Sequence, residues 1–226
     1  RILLQNLEYG AKYQYWTNEK EKFTFKIPQK TDDFTFVDMG DSRSGIKIWK
    51  KMITNMASEK PEFMIFNGDL AYKKEYQYWV DEFFVDEAQT VFTQYPFYNT
   101  AGNHEGWTDN TKAFTQSTAI NPKATPYYSF EKGDALFLIL NTEVSVGVNS
   151  QQWKFAADQL KNSTKKWKIV VFHIPAYSSG AHGENKNMKN MTENIFEKYG
   201  VKLILTGHSH FYQHNLVNGI HHMVIG

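Results

Sequence analysis

Five short polar stretches of this 226-residue chain hold residue types that can bind a cation or move a proton. They are VDMGDSRSG with Asp41, FNGDLAY with Asp69 and Tyr72, NTAGNHEG with Asn103 and His104, VVFHIPAYSSGAHG with His173, and LTGHSHFYQH with His208 and His210. Carboxylates, a phenol, a carboxamide and imidazoles are hard oxygen and nitrogen donors, and together they have the composition of a metal site. A glycine immediately precedes Asp41, Asp69, Asn103 and His208, which suits a tight turn that frees the next side chain to point out of a sheet. Any one Gly-Asp or Gly-His pair reads equally well as a turn with a capping Asp or a surface His. The weight of the pattern lies in all five stretches, in order.

Each stretch follows an apolar run, so the elements that must position these residues are strands. Runs at 34–39, 63–66, 97–100, 136–140, 169–172 and 203–205 are the strands the pattern predicts. Between the first two, Ile46, Trp49, Ile53 and Met56 recur at helical spacing, and Trp79, Phe83 and Phe84 mark a second helical region. NSQQWKFAADQLKNS opens on cap-type residues, and NMTENIFEKYG closes on Gly200 as a helix C-cap. Apolar runs alternating with helices predict a layered α/β domain over residues 31–226, whose carboxy-terminal strand edges are where such folds place their sites. Residues 1–30 alternate apolar and polar in two short runs, as a β-hairpin does. The spacing of Leu7, Gly10, Tyr13 and Tyr15 resembles the tyrosine-corner end of a fibronectin type III sandwich. The alternative is a hairpin packed on the main domain. A start at Arg1 and a close in the apolar run GIHHMVIG predict that both ends are cut.

Composition sets bounds. With 41% hydrophobic residues the chain can build a real core, and a formal net charge of +1, mixed in sign throughout, gives no stripe for nucleic acid. The absence of cysteine excludes disulfides, thiolate metal sites and Cys nucleophiles. No apolar run reaches membrane-spanning length, and no signal peptide is visible.

The ordered set GDSR, GDLAY, GNHE, FHIP and GHSH resembles the calcineurin-like metallophosphoesterases from about Phe34 to the chain end. The GDxxY form, the tyrosine-corner segment and the tract YYSFEKGDALFLILNTE resemble the purple acid phosphatase branch. The resemblance implies a four-layer αββα sandwich of two mixed sheets, preceded by the end of a fibronectin type III-like β domain. It also implies a dinuclear centre, with Asp41, Tyr72 and His210 on one metal, Asn103, His173 and His208 on the other, and Asp69 bridging. A phenolate from Tyr72 favours Fe3+ beside a divalent Fe, Zn or Mn; the other reading of Tyr72 is packing on the neighbouring YWVDEFF helix. His104 matches a histidine that contacts the phosphate, and His182 a substrate-facing histidine and candidate general acid. His214, His221 and His222 read as core or surface residues.

The implied activity is hydrolysis of a small-molecule phosphate ester, a monoester foremost, by in-line attack of a hydroxide bridging two cations. A phosphodiesterase or nucleotide hydrolase on the same core is one alternative, and a non-catalytic metal-binding interaction domain another. Export follows from the resemblance alone, and Asn162 and Asn190 are formal glycosylation matches. Oligomeric state is not legible. One departure stands out: GDSR puts Arg43 where the acid phosphatases read Gly-Asp-x-Gly and where other branches place a metal-binding His near that point. Arg cannot ligate a cation, so Arg43 is read as a fork to a substrate phosphate or as the partner of Asp38 in an ion pair.

Overall fold

The computed structural model describes residues 4–17, 20–116 and 123–226. Two sheets carry the main domain. β3 (Phe36–Met39), β4 (Phe63–Phe66) and β5 (Phe97–Asn99) form a three-stranded, wholly parallel sheet in the order β3-β4-β5. A six-stranded sheet runs β10-β11-β9-β8-β7-β6, built from Tyr212–Val217, Ile220–Ile225, Leu203–Thr206, Trp167–Val171, Ala135–Ile139 and Tyr128–Lys132. Its inner pairs are parallel, while β6 and β10 lie antiparallel at the two edges. Of the two mixed sheets expected, therefore, only the larger is mixed among the described residues.

Three apolar clusters set the layers. Phe63, Ile65, Phe137, Ile139, Val171 and Leu205 fill the space between the sheets, with Phe63 and Phe137 edge to face at 5.3 Å. Alternate residues of the same strands point outward. Met64 and Phe66 meet Trp49, Ile53 and Met56 of α1 (Ile46–Ser58), and Leu138, Val170 and Ile204 meet Ala156 and Leu160 of α5 (Gln151–Asn162). Strands covered on both faces are apolar at every position, which is why β4 and β7 read as unbroken hydrophobic runs. The result is helix, sheet, sheet, helix.

All six strands read from the sequence are present, to within two residues. The helical spacing at 46–56 is α1, with three buried residues on one face. The region after Tyr72 is less regular than expected: a single turn, α2 (Tyr76–Tyr78), runs into a π-helical turn at Trp79–Phe83 and then α3 (Asp86–Phe92). Ser150 caps α5 by accepting from the Trp153 N–H at 3.1 Å. α6 (Lys186–Met191) also passes into a π-turn, and Gly200 follows at φ +74°. β6, β10 and α4 (Asp109–Gln116) are additional to the elements that the sequence pattern predicts. The expected N-terminal hairpin forms from β1 (Lys12–Trp16) and β2 (Lys22–Lys26), with residues 1–3, 18 and 19 of that stretch outside the described residues.

Candidate metal centre

The carboxy ends of β3, β4, β5, β8 and β9 converge. Asp41 follows β3, Asp69 and Tyr72 follow β4, Asn103 and His104 follow β5, His173 follows β8, and His208 and His210 follow β9. The two sheets are tied together here by the Gly40 N–H, which donates to the Ile225 carbonyl at 3.2 Å, while the Asp41 N–H donates to Gly68 O at 2.9 Å and joins the ends of β3 and β4.

Asp69 is at the centre, its side chain 1% exposed, and its two oxygens face different partners. Oδ1 accepts from the His104 N–H at 3.0 Å and lies 3.3 Å from His173 Nε2. Oδ2 accepts from Arg43 Nε at 3.0 Å, with His104 Nε2 at 3.9 Å. Donor atoms of Asp69, His173 and His208 lie within 4.8 Å of one another, and so do those of Asp41, Asp69 and His210. The two groups share one residue, Asp69.

In the inner group His173 is fully buried, and its Nδ1–H donates to the Asn67 carbonyl at 2.9 Å. This fixes the ring so that Nε2 faces Asp69 and the Asn103 Oδ1, 3.1 Å away. Burial alone would lower the His173 imidazole, but the Asp69 carboxylate prevails and pushes it up to about 9. Its partner Asp69 is correspondingly held below the usual carboxylate range despite burial. Burial and then the nearby His173 depress His208 to about 4, so its ring is neutral at pH 7, the form that binds metals.

The outer group is nearer solvent. His210 is about half exposed and places Nε2 3.2 Å from Asp41 Oδ1. Asp41 Oδ2 accepts from the His208 N–H at 2.8 Å, while its Oδ1 is sealed from water without a hydrogen-bond partner. Burial raises the Asp41 carboxyl above its ordinary range, against the pull of His173. Tyr72 is 41% exposed, with its ring 5.4 Å from that of His104 and 6.1 Å from that of Tyr78, so it also makes the packing contact weighed as the alternative. Glu82 accepts from the Tyr72 N–H at 2.8 Å and so links that loop to the π-turn.

The remaining expected residues stand around this centre. His104 donates from Nδ1 to the Tyr72 carbonyl at 2.8 Å. His182 is brought in from its loop, its ring 5.1 Å from His208 and 5.6 Å from His210. The ion pair weighed between Arg43 and Asp38 does not form. Arg43 lies on Asp69, whereas Asp38 accepts from Asn67 Nδ2 at 3.0 Å. His214 and His221 bond each other at 2.8 Å on the β10–β11 surface, and His222 is buried against Tyr177.

Sequence reasoning missed Asn67 and Glu105, although both stand inside the quoted stretches. The buried Glu105 accepts from the Gly102 N–H at 2.8 Å and so shapes the turn that presents Asn103 and His104. Burial, then the nearby Asp69, push it up to about 7. Asn67 orients His173 through its backbone and Asp38 through its side chain.

This arrangement defines a class. The model of the calcineurin-like phosphoesterase family matches residues 34–212, and the chain belongs to that family. It is 29% identical to the Fe(3+)-Zn(2+) purple acid phosphatase 12 of Arabidopsis thaliana over 96% of its own length and 54% of that protein. To the phosphoenolpyruvate phosphatase of Allium cepa it is 28% identical, over 93% of this chain and 49% of the relative. A solved purple acid phosphatase from yellow lupin (Lupinus luteus) seeds superposes with a TM-score of 0.73 at 19% identity, covering 91% of this chain and 46% of that one. The chain thus spans about half the length of the curated relatives it matches.

Proposed function

We propose that this chain carries the site of a metal-dependent phosphoric ester hydrolase whose preferred substrates are small phosphomonoesters. One observation carries the reading: two groups of three hard donors share the single carboxylate Asp69. The donor chemistry fits the metals this family implies. Asp69, Asn103, His173 and His208 would hold one ion and Asp41, Asp69, Tyr72 and His210 the other, with Fe3+ at the phenolate and a divalent Fe, Zn or Mn at the imidazoles. The relative named for Fe(3+) and Zn(2+) supports that pair. When bound, such ions acidify a water and polarise phosphoryl oxygens.

The chain's own residues supply the rest. His104 is steered by its Nδ1–H bond to Tyr72 O, which leaves Nε2 3.9 Å from Asp69 Oδ2, where it steadies charge building on the phosphoryl oxygens. His182, on the exposed loop over His208 and His210, delivers a proton to the departing ester oxygen. Arg43 adds a cation that can fork to phosphate. The relative named as a phosphoenolpyruvate phosphatase supports monoesters. The same reading takes the hairpin β1–β2 as the end of a fibronectin type III-like unit and the chain as exported. Tyr13 supports the first point, since its hydroxyl accepts from the Glu8 N–H at 2.8 Å, as a tyrosine corner does.

The test is Asp69→Ala, measured for metal content by mass spectrometry and for phosphate release. Both are expected to collapse together, with turnover falling by more than about a hundredfold. A variant that keeps its turnover without metal would overturn the reading.

A further inference from the structure

The guanidinium of Arg43 occupies a particular place within the outer donor group. Its Nε donates to Asp69 Oδ2 at 3.0 Å, its Nη2 lies 3.4 Å from His210 Nε2, and its central carbon stands 5.8 Å from the centre of the Tyr72 ring. It therefore touches three of the four residues assigned to the outer ion. The inner group keeps its own contacts, His173 Nε2 with Asp69 Oδ1 and Asn103 Oδ1.

We propose that Arg43 is a built-in competitor for the outer cation, so that the two donor groups load with unequal affinity and the outer ion enters only by displacing the guanidinium. This deepens the metal-dependent reading above and rests on it. Two observations set the balance. His210 Nε2 is the acceptor for Arg43, and one lone pair cannot serve a guanidinium and a metal ion together. Asp41 Oδ1, in contrast, is buried and receives nothing from Arg43, and the ring nitrogen 3.2 Å from it is the same His210 Nε2 whose lone pair faces the guanidinium. The guanidinium thus meets the needs of Asp69 and His210 but not of Asp41, and a metal ion meets all three. Binding is weakened by the contacts that must break, and it is not abolished.

The displaced side chain has somewhere to go. The Arg43 N–H is anchored to the Asp69 carbonyl at 3.4 Å, so the backbone stays while the side chain turns. The side chain is 12% exposed and stands beside the ring of Tyr72, which is itself 41% exposed. A guanidinium swung out on that tether stays beside the cleft, where its planar fork suits a phosphate.

Full-length protein, stripped of metal, would be titrated with Mn2+ and the bound ion counted after equilibrium dialysis, with calorimetry alongside. Wild type is expected to show two classes of site, the weaker assigned to the outer group by its loss in His210→Ala and the tighter to the inner group by its loss in His208→Ala. Because two hydrogen bonds of the charged guanidinium must break, Arg43→Ala is expected to tighten the weaker class by about tenfold to a hundredfold and to leave the tighter class unchanged. Arg43→Gln, which keeps much of the stem, is expected to act in the same direction and serves if the shorter variant is unstable. Two equal classes in wild type, or a weaker class that neither variant shifts, would overturn the inference while leaving the metal-dependent reading intact. Wild type that binds no Mn2+, Zn2+ or Fe at all would overturn both.

Discussion

Asp38 lies on β3 and Asp69 in the turn after the neighbouring β4, and their surroundings send the two carboxylates in opposite directions. Asp69 accepts from an N–H and a guanidinium and faces an imidazole, all of which favour its anion. Asp38 has a single donor, Asn67 Nδ2, while its Oδ1 is sealed without a partner, and burial pushes its carboxyl up to about 8. The sign of the consequence is fixed. A carboxyl whose folded value lies above its unfolded value of 3.8 holds its proton longer in the folded chain, so stability falls as pH rises from about 4 to about 8. Asp38→Asn removes that slope, and its unfolding free energy from urea titration is expected to gain on wild type by up to about 1.4 kcal/mol per pH unit across that window. An Asp38→Asn advantage that is the same at pH 5 and pH 8 would contradict this account. Residue types made the candidate donors legible, because Asp, Asn and His after apolar runs have few other uses in such number. The partner of Arg43 was not legible: Asp38 is near it in sequence, whereas Asp69, the residue it bonds, is brought to it only by the pairing of β3 with β4.

At the scale of elements, the strand-to-loop turns do the positioning. Three donor residues themselves lie in the left-handed region, Asp41 at φ +55°, Asp69 at +54° and His208 at +67°, a conformation that non-glycine residues seldom adopt and that clusters at functional sites. The expectation that the preceding glycines supply a special turn holds for Gly68, at φ +103°, and the glycine before each of the other two serves close packing instead. A Cβ on Gly68 would lie 2.6 Å from His173 Nδ1 and 2.8 Å from the Gly102 nitrogen. Gly68→Ala is therefore expected to lower the thermal midpoint and weaken metal retention, by more than about 2 kcal/mol in stability, whereas Gly147→Ala, with open space around it, stays within about 0.5 kcal/mol. Equal effects from the two substitutions would count against this role for the turn. Strands with unbroken apolar runs were legible because both faces are covered. The edge strand β10 was not, since its outward residues Tyr212, His214 and Leu216 are exposed and its pattern mixes polar and apolar positions. The π-turns after Tyr78 and Met191 also escaped, because helical periodicity fixes a face but not a one-residue shift in the hydrogen-bond ladder. Asn190 falls inside α6 rather than on a loop, which removes the surface-loop setting that a glycosylation acceptor needs.

For the whole molecule, the layered architecture explains why the site sits where it does. Two sheets packed through Phe63, Phe137 and their neighbours bring five strand ends to one rim, and no single sheet supplies both donor groups. The fold class and the strand ends were legible in the sequence, while the closure of two sheets over a shared aromatic core was implied only by resemblance, since periodicity does not say which strands share a sheet. The β1–β2 hairpin leans on this body through the Tyr15 hydroxyl, which donates to the Thr93 carbonyl at 3.0 Å. The central claim, that this rim hydrolyses phosphomonoesters with bound metal, is tested most directly by phosphate release from an aryl monoester and a matched diester. Full-length protein would be assayed as reconstituted with Fe and Zn or Mn, after chelation, and after the metals are restored. The account predicts monoester turnover that is lost on chelation, returns with metal and exceeds diester turnover; activity untouched by chelation, or a diester preferred over the monoester, would contradict it.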